Sequence, residues 1–177
     1  PMTTAEGDVS AVFNGAIYNF RELRAQLVAA GESFCSDTDT EVLLAGYRQW
    51  GIDDLVRRLR GMFAFALWDT RERRLFLVRD RLGVKPLLYV EPGGGELAFA
   101  STAGALHAGG LAGDIDAQSL AHVIRMGYVP DDRCIYENVR KLPPGHILEW
   151  SEGRITLRRF WEAPRSPHRN DISFEEA

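Results

Sequence analysis

The sequence predicts an α+β fold in which antiparallel sheet lies inside a layered sandwich. Three observations carry this. Early in the chain, apolar residues recur at helical spacing behind capping residues. From Met62 onward the period switches to short apolar runs separated by turn residues. The run Met62 to Leu67 has no polar position, so that strand is buried on both faces and needs a layer on each side.

The elements follow in order. Residues 9–14 read as a strand that runs into the stretch AVFNGAIYNF, Ala11 to Phe20. Asn14-Gly15 is a dipeptide favoured in two-residue hairpin turns. No second strand follows it: Ile17, Phe20, Leu23 and Leu27 fall at helical spacing. Asn19 is the expected cap of this first helix, with Glu22 three residues on, Tyr18 and Leu23 as a staple, and Gly31 as its stop. In the second helix Thr38 and Glu41 form a capping box, Leu43, Leu44, Tyr47 and Trp50 give the apolar face, and Gly51 closes it. A short third helix is expected near Asp53 to Arg60, with Leu55 and Leu59 inward.

MFAFALWD, LFLVRD, PLLYVE and LAFAS then read as an antiparallel meander of four strands. Asp116 caps a helix over AQSLAHVIRM, which Gly127 and Pro130 end. HILEW and ITLRRFW form a hairpin about SEGR. Beyond Pro164, RSPHRND is polar and irregular, a linker. The chain thus divides into a domain over 1–164 and a segment 165–177 leading elsewhere. It starts Pro1-Met2 and ends in SFEEA, the opening of another helix, so a piece of a longer protein is expected.

Bulk properties exclude several classes. The 177 residues are 45% hydrophobic and 26% charged, which is ordinary for one soluble globular domain. The net charge of −4 gives no global attraction to nucleic acid. No apolar run reaches the length of a membrane span, and no signal peptide is visible. Two cysteines, Cys35 and Cys134, make no disulfide framework, and a reducing, cytoplasmic setting is the simplest reading. The four histidines have no metal-ligand spacing, and PGGG has no helix behind it to cradle a phosphate.

Candidate chemistry begins with Asn14 and Gly15. A side-chain amide and a glycine N–H at a strand end are two donors suited to a tetrahedral oxyanion. The dipeptide alone fits a simple turn as well. Asp39, in the first turn of the second helix, stabilises the helix dipole or receives a substrate ammonium. The span Arg57 to Lys85 holds nine Lys or Arg against three acids. Its aromatics sit in strand patterns, so RDRLGVKP reads as a solvated or internally paired stretch rather than a nucleic-acid surface.

Taken together, FNGAIYNFRELRAQL, SDTDTEVLL, LRGMFAFALWD, RDRLGVKPLLY, LAFAS, GYVPDDRCIYENVRKLPPGH and RRFW occur in one order at close spacing. This pattern resembles the glutamine-hydrolysing domain of the asparagine synthetases, a branch of the class II glutamine amidotransferases. The resemblance runs from Val9 to about Pro164. TDTE alone is also similar to the glucosamine-6-phosphate synthase branch, the second-ranked reading.

The resemblance implies an N-terminal-nucleophile hydrolase fold, two antiparallel sheets between helix layers, here without its N-terminal segment. It implies a cysteine thiolate upstream of Pro1 that attacks the glutamine side-chain amide, its own α-amine serving as base. Neither Cys35 nor Cys134 has a free α-amine. Asn14 and Gly15 take the oxyanion-hole positions, and Asp39 the position of the acid that holds the glutamine α-amine. Ala16 stands where the family usually has a glutamate, and Thr102-Ala103 where it has Glu-Lys. The implied partners are glutamine and a C-terminal synthetase domain of the same polypeptide, with homodimerisation left open. No cofactor is implied for this domain; ATP and Mg2+ are implied for the synthetase domain, whose SGGLDS element is not in this sequence. The parent would amidate aspartate or a related carboxylate. This chain alone is expected to be inactive, and a degenerate scaffold or dimerisation domain is the alternative.

Overall fold

The computed structural model describes residues 1–131 and 133–164, so the expected linker at 165–177 lies outside the described residues. In chain order the elements are β1 (Met2–Thr3), β2 (Val9–Ile17), α1 (Phe20–Ala29), α2 (Asp39–Arg58), β3 (Gly61–Asp69), β4 (Arg74–Arg79), β5 (Leu88–Gly93), β6 (Glu96–Ala100), α3 (Ala103–Ala108), α4 (Ala117–Met126), β7 (Arg140–Lys141), β8 (His146–Ser151) and β9 (Arg154–Arg159).

The unbroken apolar run of β3 serves two cores. Phe63, Phe65 and Leu67 pack with Leu23 and Leu27 of α1 and with Val42, Leu43 and Leu55 of α2. Ala64 and Ala66, on the opposite face, join Leu77, Leu87, Tyr89, Leu142 and Leu148. Period-two alternation thus sends large side chains to the helices and small ones to the second sheet, which lets that sheet approach closely. The outer face of the second sheet (Leu88, Val90) packs on Leu106 of α3 with Cys134 and Val139. The layers are helix, sheet, sheet, helix.

The meander is corrected. The strands form a six-stranded sheet, order β1-β2-β3-β4-β8-β9, and a three-stranded sheet, order β6-β5-β7. β4 pairs with β8 and not with β5. The cause lies in RDRLGVKP, which turns the chain out of the first sheet. Arg79 is buried and donates to the carbonyls of Lys85, Gly83 and Leu142. Asp80 is 1% exposed and accepts from the backbone N–H groups of Phe63, Leu82, Val84 and Lys85. The stretch is internally paired, and it delivers β5 to the other layer.

Two local expectations change. Asn19 does not cap α1 with its side chain. Its amide bridges instead to Arg58 O and Arg60 N, tying the start of α1 to the end of α2. Tyr18 is exposed, so no staple forms. The break at Gly51 is present: its φ of 72° and ψ of 172° leave the helical region, and α2 is two helical segments joined at a kink. Thr38 caps α2 and accepts from Glu41 N. Asp116 caps α4, and Gly127 ends it in the left-handed conformation. The β8–β9 hairpin forms as read. The very short β1 and β7 and the six-residue α3 carry no pattern long enough to be read from sequence.

Candidate active site

The site is built on the far half of β2. The strand does not stop at Asn14. It pairs with β3 without a bulge through Asn14–Ala64, Gly15–Phe63, Ala16–Met62 and Ile17–Gly61. Tyr18 N then donates to Arg60 O, 2.7 Å. A hairpin turn at Asn14-Gly15 would reverse the chain at once; here the ladder continues for three residues.

The glycine is needed for another reason. Gly15 has a φ of +150°. A Cβ there would lie 2.2 Å from Met62 O and 2.7 Å from Phe63 Cα. Gly61 repeats the arrangement, its would-be Cβ 2.2 Å from Ala16 O. Two glycines on neighbouring strands, offset by two positions in the ladder, let β2 and β3 approach where no side chain fits, and this sets the direction of the Gly15 peptide.

Asp39 reaches the same strand end. Its Oδ2 accepts from Ile17 N at 3.0 Å, which places the first turn of α2 beside Gly15 and Ala16. The loop before α2 is shaped by Glu41, whose carboxylate accepts from Cys35 N, Ser36 N and Ser36 Oγ. Burial pushes the Glu41 carboxyl up, but the bonds from Ser36 and Cys35, with Arg24 nearby, outweigh it and hold it below its ordinary value. A depressed carboxyl stabilises the fold above its unfolded value and loses that contribution as pH falls through the folded one. Glu41→Gln is therefore expected to cost about 1–2 kcal/mol at pH 7. The gap from the parent protein should narrow below pH of about 4. Urea unfolding at pH 7 and at about pH 3 reads this, and a gap unchanged between the two would refute it.

Asn14 faces the second sheet. Its Nδ2 donates to Ser101 Oγ, just past β6, at 3.4 Å. Beside it a slot of about 140 Å³ runs between the sheets, lined by Val12, Ala66, Leu87 and Phe99 among others. Ser101 was not singled out from sequence, since a serine after a strand carries no signal without its neighbour. The structure thus brings Asn14, Gly15, Ala16 and Asp39 to one strand end. Cys134 is buried under α3, and Cys35 lies exposed in the α1–α2 loop. Among the described residues no cluster of three or more His, Cys, Asp or Glu could hold a metal ion. No helix among them is long and apolar enough to cross a membrane.

The family model described as a glutamine amidotransferase domain matches residues 1–161. The chain belongs to the glutamine amidotransferase domain family. This amidotransferase domain is 34% identical over 171 residues to asparagine synthetase [glutamine-hydrolyzing] 3 of Bacillus subtilis, covering 95% of this chain and 28% of the relative. It is 45% identical over 139 residues to a provisionally named asparagine synthetase [glutamine-hydrolyzing] of Mycobacterium tuberculosis, covering 76% of this chain and 21% of the relative. The domain therefore spans between about a fifth and under a third of the length of these relatives. Among solved structures, the glutamine phosphoribosylpyrophosphate amidotransferase of B. subtilis matches with a TM-score of 0.66 at 20% identity, covering 92% of this chain and 31% of that one. That likeness gives the fold: the N-terminal-nucleophile type, with two antiparallel sheets and flanking helices.

Proposed function

We propose that this domain forms the oxyanion hole and α-amine site of a glutaminase that feeds ammonia to an asparagine synthetase-like partner domain of the same polypeptide. The observation that carries the reading is the Ile17 N–Asp39 contact, which brings a carboxylate to the strand that bears Asn14 and Gly15. Asn14 Nδ2 and Gly15 N–H donate to the oxygen of the tetrahedral adduct, where charge develops. Asp39 receives the α-ammonium of glutamine and sets its orientation. The nucleophile is a cysteine thiolate from outside these residues. It attacks the side-chain amide carbon, ammonia leaves, and water cleaves the thioester to glutamate. ATP with Mg2+ belongs to the partner domain, which amidates aspartate or a related carboxylate. The 177 residues alone are inactive in this reading.

The test is a split in kinetic parameters of the full-length protein, followed as ammonia released from glutamine. Asn14→Ala removes a donor used mainly in the transition state, so kcat is expected to fall about 10²-fold with KM nearly unchanged. Asp39→Asn removes a ground-state contact, so KM is expected to rise at least about tenfold. Wild-type protein without glutaminase activity would favour the scaffold reading instead. Variants in which both substitutions leave both parameters alone would remove these residues from the site.

A further inference from the structure

Helix α4 carries its apolar stripe on the outside of the molecule. Leu120, Val123 and Ile124, at helical spacing, are all exposed, Ile124 at 77%. Ile115, Met126 and Tyr128 extend the exposed patch at both ends of the helix. The only buried residue of α4 is Ser119. A surface helix ordinarily turns such a stripe inward, and a contiguous apolar patch in water marks an interaction site.

The helix is presented on a firm base. Asp116 Oδ2 accepts from both Ser119 N and Ser119 Oγ, and Arg133 pairs with the same carboxylate. Asp116 N donates to Ile135 O, Glu137 N to Asp114 O, and Ile115 bridges to Tyr136. At the other end Lys141 Nζ donates to Val129 O and Pro130 O, 2.9 and 3.0 Å. Both flanks of the helix are thus fastened to the second sheet and its loops. The outward stripe is set by these bonds, not by fraying.

We infer that the α4 stripe is the docking surface for the synthetase part of the same polypeptide. The relatives supply the occupant: this chain accounts for 21–28% of their length, so most of such a polypeptide is available to cover the patch. A tethered domain also meets the surface at high effective concentration, which favours it over a separate copy. The inference rests on the proposed function for the identity of the partner, but not for the existence of the contact.

The experiment places a photo-activated benzophenone side chain at position 124 of the full-length protein and maps the crosslinks by mass spectrometry. The expected product has the mass of one chain, with the partner peptide outside residues 1–177. A crosslink between two copies, or recovery of uncrosslinked protein only, would overturn the inference. The paired variant Leu120→Asp with Ile124→Asp adds a functional arm. Glutamine hydrolysis is expected to stay within about twofold of wild type, while amidated product per glutamine hydrolysed falls at least about tenfold. An unchanged ratio would also overturn the inference. Loss of glutaminase activity in the wild type itself would instead sink the proposed function, and the crosslink would still report the docking.

Discussion

Gly15→Ala is expected to cost more than about 4 kcal/mol of stability and to abolish glutamine hydrolysis. The added methyl would meet Met62 O at 2.2 Å and Phe63 Cα at 2.7 Å. Both are backbone atoms of a strand that is paired on its other side to β4 from Ala64 onward. Neither can swing away as a side chain does. The φ of +150° adds strain, because residues with a Cβ rarely adopt it. Relief would require β2 to slide or lift from β3, and either motion moves the Gly15 N–H that the oxyanion needs. The neighbouring change Ala16→Gly is the control. It adds no atoms, so its cost should stay within the roughly 1 kcal/mol of lost backbone restriction. Denaturant unfolding of both variants in the full-length protein decides the matter. A Gly15→Ala midpoint close to that of Ala16→Gly would show that β2 is not pinned as described.

The same glycine shows what the sequence made legible and what it hid. The two layers about β3 follow from an apolar run with no polar break, and the α2 start follows from Thr38, while the Glu41 carboxylate turns to Cys35 N and Ser36 N rather than closing the expected capping box. Both are local patterns with a direct physical cause. The strand end at Asn14 was misplaced because Asn-Gly favours turns by backbone preference, while here Gly15 serves a close approach between strands. That approach depends on Gly61, far along the chain, and no local window contains both residues. The meander failed for a related reason. Hydrophobic alternation says that a segment is a strand, but not which strand it joins. The partner of β4 is settled by buried polar groups in the connection that follows it. Ser101 was missed because its contact with Asn14 is made across the two sheets. Asp39 and Asn14, by contrast, are candidates by residue type with a plain structural reading equally open, and it is the family resemblance that assigns their roles.

Asp80 is the polar group on which the two-sheet arrangement turns, and Asp80→Ala is expected to cost at least about 4 kcal/mol. Its carboxylate accepts from Phe63 N at 3.1 Å, Leu82 N at 3.1 Å, Val84 N at 3.0 Å and Lys85 N at 2.9 Å. Removing it strands these donors, and each buried donor left unpaired costs about 1–3 kcal/mol. Water cannot easily replace the carboxylate, since the residue is 1% exposed. The loss is comparable to the whole stability of a typical domain, about 5–15 kcal/mol. Two consequences follow from the geometry. Phe63 N is held by Asp80 at the point where β3 runs past the end of β4, so the Gly15–Phe63 pair loosens. The turn over 82–85 also opens, which frees β5 from its course into the second sheet. Asp80→Asn separates charge from shape. It keeps one acceptor oxygen and nearly the same volume, so it should retain part of the stability and fold at lower temperature. Thermal and urea unfolding of the two variants in the full-length protein measure this directly. Asp80→Ala within about 1 kcal/mol of wild type would mean that the crossing between the sheets is fixed elsewhere, and that the backbone bonds Asp80 N–Phe63 O and Gly145 N–Asp80 O suffice to hold it.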